Sequence, residues 1–145
     1  ICLNDIITIG DTFGSGRSYM WTSNPSGFTA NTASVNVTPI INTSYYFEVF
    51  DSVVACTYYD TVNVIVNPLP NVVASQDTSI CPNESVGLLV SGALTYAWSP
   101  IMGLDNAAIA NPVATVTTNT TYIVSGLDSN LCENHDTVVI TIVNP

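Results

Sequence analysis

The sequence predicts an all-β chain built as two tandem antiparallel β-sandwiches, and three observations predict it. Apolar residues alternate with polar ones over short runs rich in Val, Ile, Thr, Tyr and Phe, a period of two that belongs to strands. Turn formers such as Gly14-Ser15-Gly16, Asn24-Pro25-Ser26-Gly27, Ser91-Gly92 and Asp128-Ser129-Asn130 separate those runs. The whole pattern then occurs twice, with a period of 76 to 79 residues.

The repeat can be followed residue by residue. Ile1-Cys2-Leu3-Asn4-Asp5 matches Ile80-Cys81-Pro82-Asn83-Glu84, and Tyr19-Met20-Trp21 matches Tyr96-Ala97-Trp98. Asn42-Thr43-Ser44-Tyr45 matches Asn119-Thr120-Thr121-Tyr122, Cys56 matches Cys132, and Asp60-Thr61-Val62 through Asn67-Pro68 matches Asp136-Thr137-Val138 through Asn144-Pro145. Two domains follow, residues 1–68 and residues 69–145. The second copy opens with a stretch, Asn71 to Ser79, that the first lacks, so the first domain is expected to miss its first strand and the parent chain to be longer. Pro68 and Pro70 make the connector between copies short and stiff.

Within the second copy, strands are predicted near 71–76, 85–91, 94–98, 112–117, 120–126 and 136–143. Val86, Leu88 and Val90 alternate, as do Tyr45, Phe47 and Val49, and Val62, Val64 and Val66, in the first copy. Six or seven locally connected strands per copy close an antiparallel sandwich around one core. Trp21 and Trp98 stand where an immunoglobulin-like third strand places its central tryptophan, and with Tyr45 and Tyr122 they are the expected core aromatics.

Each copy holds the order Cys, Trp, Cys. Four cysteines allow three connectivities, and equivalence of the copies favours Cys2 with Cys56 and Cys81 with Cys132. At roughly 75 residues each sandwich has little core to spare, and such bridges would place the chain outside the cell or on its surface.

Charge narrows the functions. One basic residue, Arg17, stands against eleven acidic ones, for a formal net charge of −10, and charged residues are 8% of the chain where about 25% is usual. A nucleic-acid partner is excluded, because binding needs several phosphates neutralised by Lys or Arg. No apolar run approaches the ~18 residues of a membrane helix, and the chain reads as a soluble, mature segment with no membrane insertion.

The succession Ile80-Cys81-Pro82, Tyr96-Ala97-Trp98-Ser99-Pro100, Gly103-Leu104-Asp105-Asn106, Ala110-Asn111-Pro112-Val113-Ala114, Thr120-Thr121-Tyr122, Cys132 and Asp136-Thr137-Val138 resembles the PKD-like or Ig-like repeats of very long surface proteins of Bacteroidota. It covers all of the second copy and most of the first, in which the Trp-Ser-Pro turn and the Asn-Pro-Val-Ala segment take looser forms. The resemblance implies a stalk or fibre segment of an adhesin, gliding-motility protein or other appendage exported by type IX secretion. Its partners would be neighbouring repeats, with homo-oligomers or fibres as the larger assembly. A strand from a preceding segment or a neighbouring chain is expected to complete the open edge of the first copy.

Chemistry is sparse. The single histidine, His135, lies in a predicted loop just before the last strand with Tyr59 at its place in the first copy, the carboxylates are scattered, and no enzyme constellation emerges. No cofactor is expected. Calcium is the one cation the loops suggest, at Asp128, Glu133 and Asp136. Ser52, Thr61 and Thr137 lie in Asp-Ser/Thr-apolar triplets that match bacterial O-glycosylation sites. A carbohydrate- or protein-binding module is the second functional reading, its mark being exposed aromatics drawn from Tyr58 with Tyr59 or Tyr46 with Phe50. Neighbours on a strand face opposite ways, so one of each pair is expected buried.

Overall fold

The computed structural model describes residues 1–12 and 14–143. Asn144 and Pro145, matched above to Asn67 and Pro68, lie outside the described residues. All fourteen described elements are β-strands, and the chain divides into two compact units, Ile1–Pro68 and Leu69–Pro145.

In the first unit, β1 (Ile7–Gly10) pairs antiparallel with β4 (Ser34–Val37) as one small sheet. The second sheet has the order β3-β2-β5-β6, from β2 (Arg17–Asn24), β3 (Thr29–Ala30), β5 (Thr43–Asp51) and β6 (Cys56–Val64), all antiparallel. The alternation decides what is buried: Tyr45, Phe47 and Val49 of β5 point inward with Trp21 of β2, and Ile9 and Val37 of the small sheet meet them. Trp21 stacks on Phe47 with centroids 4.1 Å apart, and Phe28 meets Tyr45 edge-on at 5.4 Å.

The second unit is more fully built. Its main sheet runs β11 (Thr95–Ser99), β13 (Thr120–Leu127), β14 (Glu133–Ile142) and β8 (Thr78–Ile80), with β8 parallel to β14 and the other pairs antiparallel. Two short pairs complete the strands, β7 (Val73–Ala74) with β10 (Val90–Ser91), and β9 (Ser85–Gly87) with β12 (Val113–Thr115). Tyr122, Val124, Val138 and Ile140 are wholly buried with Trp98 and Ala114. Burial pushes the Tyr122 hydroxyl above its usual pKa while it donates to Met102 O at 2.7 Å.

The units repeat their polar details as well as their strands. Trp21 Nε1 donates to Thr32 O and Trp98 Nε1 to Ile109 O, both at 2.9 Å, so each large ring is buried with its one donor satisfied. Val66 N donates to Asn42 Oδ1 and Ile142 N to Asn119 Oδ1. Asn4 and Asn83 both take positive φ, 73° and 65°, in the turn after the first cysteine of each unit, a conformation asparagine tolerates.

The disulfide reading is corrected. Cys56 and Cys81 are exposed free thiols, while Cys2 and Cys132 are disulfide-bonded, so neither Cys2–Cys56 nor Cys81–Cys132 forms. Strand geometry is the reason. Cys2 bridges Asn67, eleven residues downstream of Cys56 along an extended run, which sets them on the order of 35 Å apart at ~3.3 Å per residue. Cys81 follows Ile80, which pairs with Ile142 at one end of β14, and Cys132 precedes Glu133 at the other. A disulfide needs Cα atoms within about 7 Å.

Candidate functional site

The face that stands out lies on the first unit, where β6 forms the edge of its sheet. In register, Val49 faces Tyr58 and Phe47 faces Asp60, which puts Tyr58 and Asp60 on the inward side of the sheet, while Tyr59 and Thr61 turn outward beside Glu48 and Tyr46. Alternation predicts one buried tyrosine, yet Tyr58 is 56% and Tyr59 76% exposed. The opposing sheet explains this: β1 and β4 are four residues each and cover Val62 and Val64 but not the start of β6. Met20, Tyr46 and Phe50 add exposed apolar surface on the outer side.

A hollow of about 320 Å³ opens there, lined by Arg17, Phe47, Val49, Tyr58, Tyr59 and Asp60. Arg17 Nε donates to Asp51 Oδ2 at 3.0 Å on the paired strand. The guanidinium of Arg17, with the Val53 and Val54 N–H groups, holds the Asp51 carboxyl below the usual range. Apolar walls, aromatic rings and one ion pair suit a ligand that offers flat, partly apolar faces with hydroxyl or amide groups.

The second unit treats the same place differently. Asp136, the counterpart of Asp60, accepts from Ala74 N at 2.7 Å through Oδ2 and from Thr137 N at 2.8 Å through Oδ1. Asn134, at the place of Tyr58, donates Nδ2 to Pro70 O at 2.9 Å. The segment from Pro70 to Ala74 therefore lies over the start of β14, with Val72 in the core. Gly126 leaves it room, since a Cβ there would stand 2.7 Å from both Val72 Cγ2 and Ala93 Cβ. In the first unit Val49 occupies that position, so its hollow is a surface of its own and not the second unit with a strand removed.

The remaining predicted sites are placed as follows. Trp21, Trp98, Tyr45 and Tyr122 are core residues of their units. Asp128, Glu133 and Asp136 are not gathered into a cation site: Asp128 Oδ1 caps the N–H groups of Asn130 and Cys132, Asp136 is engaged as above, and Glu133 faces His135 at 3.9 Å. Among the described residues no three His, Cys, Asp or Glu side chains are grouped to hold a metal. His135 sits inside β14, not in a loop, and is exposed. Ser52, Thr61 and Thr137 are all exposed, with the Ser52 hydroxyl donating to Gly16 O at 2.7 Å.

No protein-family model matches the chain, and no curated protein does either. Among solved structures it is similar to the three N-terminal domains of the bacteriophage RB49 Highly Immunogenic Outer Capsid protein (Hoc), at 18% identity and a TM-score of 0.45, covering 96% of this chain and 55% of that one. It is also similar to SGBP-B of the Bacteroides ovatus mixed-linkage glucan utilization locus, in complex with mixed-linkage heptasaccharide, at 15% identity and a TM-score of 0.38, covering 97% and 42%. The chain thus spans about half the length of the solved structures it resembles.

Proposed function

We propose that the chain is a non-catalytic structural module, a stalk or fibre segment of an extracellular repeat protein that serves in attachment to surfaces or other cells. One observation carries the reading. In the second unit β8 runs parallel to β14, pairing Thr78–Ile80 with Ile140–Ile142, so that strands near the two ends of the unit lie side by side. The first unit repeats the relation in miniature, with Cys2 and Asn67 in a parallel bridge closed by Asn67 N to Ile1 O and Leu3 N to Asn67 O, both at 2.9 Å. Tension applied at the ends of such a unit loads those hydrogen bonds in shear, so they resist together instead of opening one at a time.

The disulfide-bonded cysteines support a place outside the cell. The low charge and acidic balance, and the ordered motifs resembling Bacteroidota surface repeats, support the same assignment. Neighbouring repeats are the partners in this reading. Pulling the reduced chain by its ends in a single-molecule experiment tests it: two discrete unfolding events are expected, and gradual yielding at low force would remove the mechanical role.

A second reading, a carbohydrate- or protein-binding module, is favoured by the exposed Tyr58 and Tyr59 over the hollow beside Arg17. Titration with oligosaccharides or extended peptides should then show saturable binding that Tyr58→Ala weakens at least tenfold. Heat changes unaltered by that substitution would leave the hollow without a ligand role.

A further inference from the structure

The four cysteines fall into two classes by their place in the unit. Cys56 and Cys132 stand at the start of the last strand, Cys56 as the first residue of β6 and Cys132 just before β14. Cys2 and Cys81 stand at the opposite end, Cys2 bridging Asn67 and Cys81 following the residue paired with Ile142. One member of each class is disulfide-bonded and one is an exposed free thiol. The backbone of free Cys81 is held as that of bonded Cys2 is. Cys81 N donates to Glu84 Oε2 at 3.1 Å where Cys2 N donates to Asp5 Oδ2 at 2.8 Å. Glu84 N closes the same turn on Cys81 O that Asp5 N closes on Cys2 O.

We propose that Cys56 and Cys81 are complementary disulfide linkage points between copies of this chain, Cys56 of one molecule bonding Cys81 of the next. Two separate observations carry this: both thiols are exposed, and the repeat-equivalent residue of each is already in a disulfide. Because the two points differ and each molecule carries one of each, the bonding extends head to tail into a linear series when the second molecule's own Cys56 bonds a third molecule instead of returning to the first. The redox step needs a disulfide donor. Cys56 thiolate attacks oxidised glutathione and releases one reduced glutathione, then Cys81 thiolate of a second molecule displaces the other, so two thiols become one S–S bond and two glutathione thiols form. The inference deepens the fibre reading and rests on it for its biological role, while its chemistry is tested apart from any mechanical measurement.

The experiment incubates the 145-residue chain with oxidised glutathione and reads the product on a non-reducing gel and by disulfide mapping. The expected result is a ladder in steps of 15.4 kDa that reductant collapses, with Cys56–Cys81 as the new linked peptide. Cys56→Ser and Cys81→Ser proteins should each stay monomeric alone and give a dimer, and nothing larger, when mixed. Homodimers from either variant alone, or a wild-type product of glutathione adducts without a ladder, would overturn the proposal. The wild-type map decides the matter even if a variant folds poorly.

Discussion

The Asp136 carboxylate accepts the Ala74 amide at 2.7 Å, and that bond fastens the opening segment of the second unit to its last strand. Asp60 holds the same place in the first unit and there accepts only its neighbour, Thr61 N, among the hydrogen bonds described. Asp136→Ala should therefore destabilise the second unit by about 1–2 kcal/mol, the cost of leaving amides without a charged acceptor. Asp60→Ala should stay within about 0.5 kcal/mol. Hydrogen exchange at the Ala74 amide checks this locally, with faster exchange expected in the Asp136 variant alone.

Acid should loosen the same contact. The Ala74 and Thr137 N–H groups hold the Asp136 carboxyl below its ordinary value, against a small opposing effect of burial. A carboxylate depressed in the folded state adds stability that is present above its unfolded pKa, about 3.9, and is lost as pH falls through the lower folded value. Ala74 protection should thus be flat from neutral pH to about 5 and decline below about 4. Asp136→Asn should remove that decline.

Gly126 is a packing requirement of the second unit. Gly126→Val, which copies Val49 of the first unit, drives a side chain against Val72 and Ala93 and should cost about 1–3 kcal/mol. Denaturant melts of the variant, resolved by unit through Trp98 fluorescence in a Trp21→Phe background, measure it.

The thiols should report their classes directly. Iodoacetamide added to the native, unreduced chain should alkylate Cys56 and Cys81 and leave Cys2 and Cys132 unmodified, as read by peptide mass. All four should label only after reduction and unfolding.

Much of this architecture is legible in the residues. The period-two runs locate β11, β13 and β14 within a few residues, because Tyr96 to Trp98, Tyr122 to Gly126 and Val138 to Ile142 alternate against a single core. The run predicted near 71–76 holds only the two-residue β7, and β8 follows beyond it, since Ala74 N donates to the Asp136 carboxylate and the Asp77 carboxylate accepts from Val139 N in place of a continuous backbone ladder. β14 begins at Glu133, three residues earlier than the apolar alternation suggests, because Glu133 to His135 pair with Leu127 to Ser125 through their backbone whatever their side chains.

The cysteines and tyrosines escaped for physical reasons that lie between strands. Equivalence of two copies shows which cysteines correspond, but only the register shows that the two in one copy lie at opposite ends of a strand. Alternation expects one of Tyr58 and Tyr59 to be buried, but burial also requires an opposing residue, and β1 and β4 are too short to supply one to Tyr58 on the inner face. The hollow beside Arg17 is therefore visible in the structure and silent in the sequence.

The mechanical role is tested most directly by stretching the reduced chain from its ends with the β8–β14 pairing intact and with it broken by Ile80→Pro, which removes the amide donor of a residue whose backbone faces β14, its carbonyl accepting Val143 N at 3.0 Å. The account predicts that one of two unfolding events moves to clearly lower force in the variant while the other stays unchanged. Two events at unaltered force would contradict it, because the parallel pairing would then carry none of the tension.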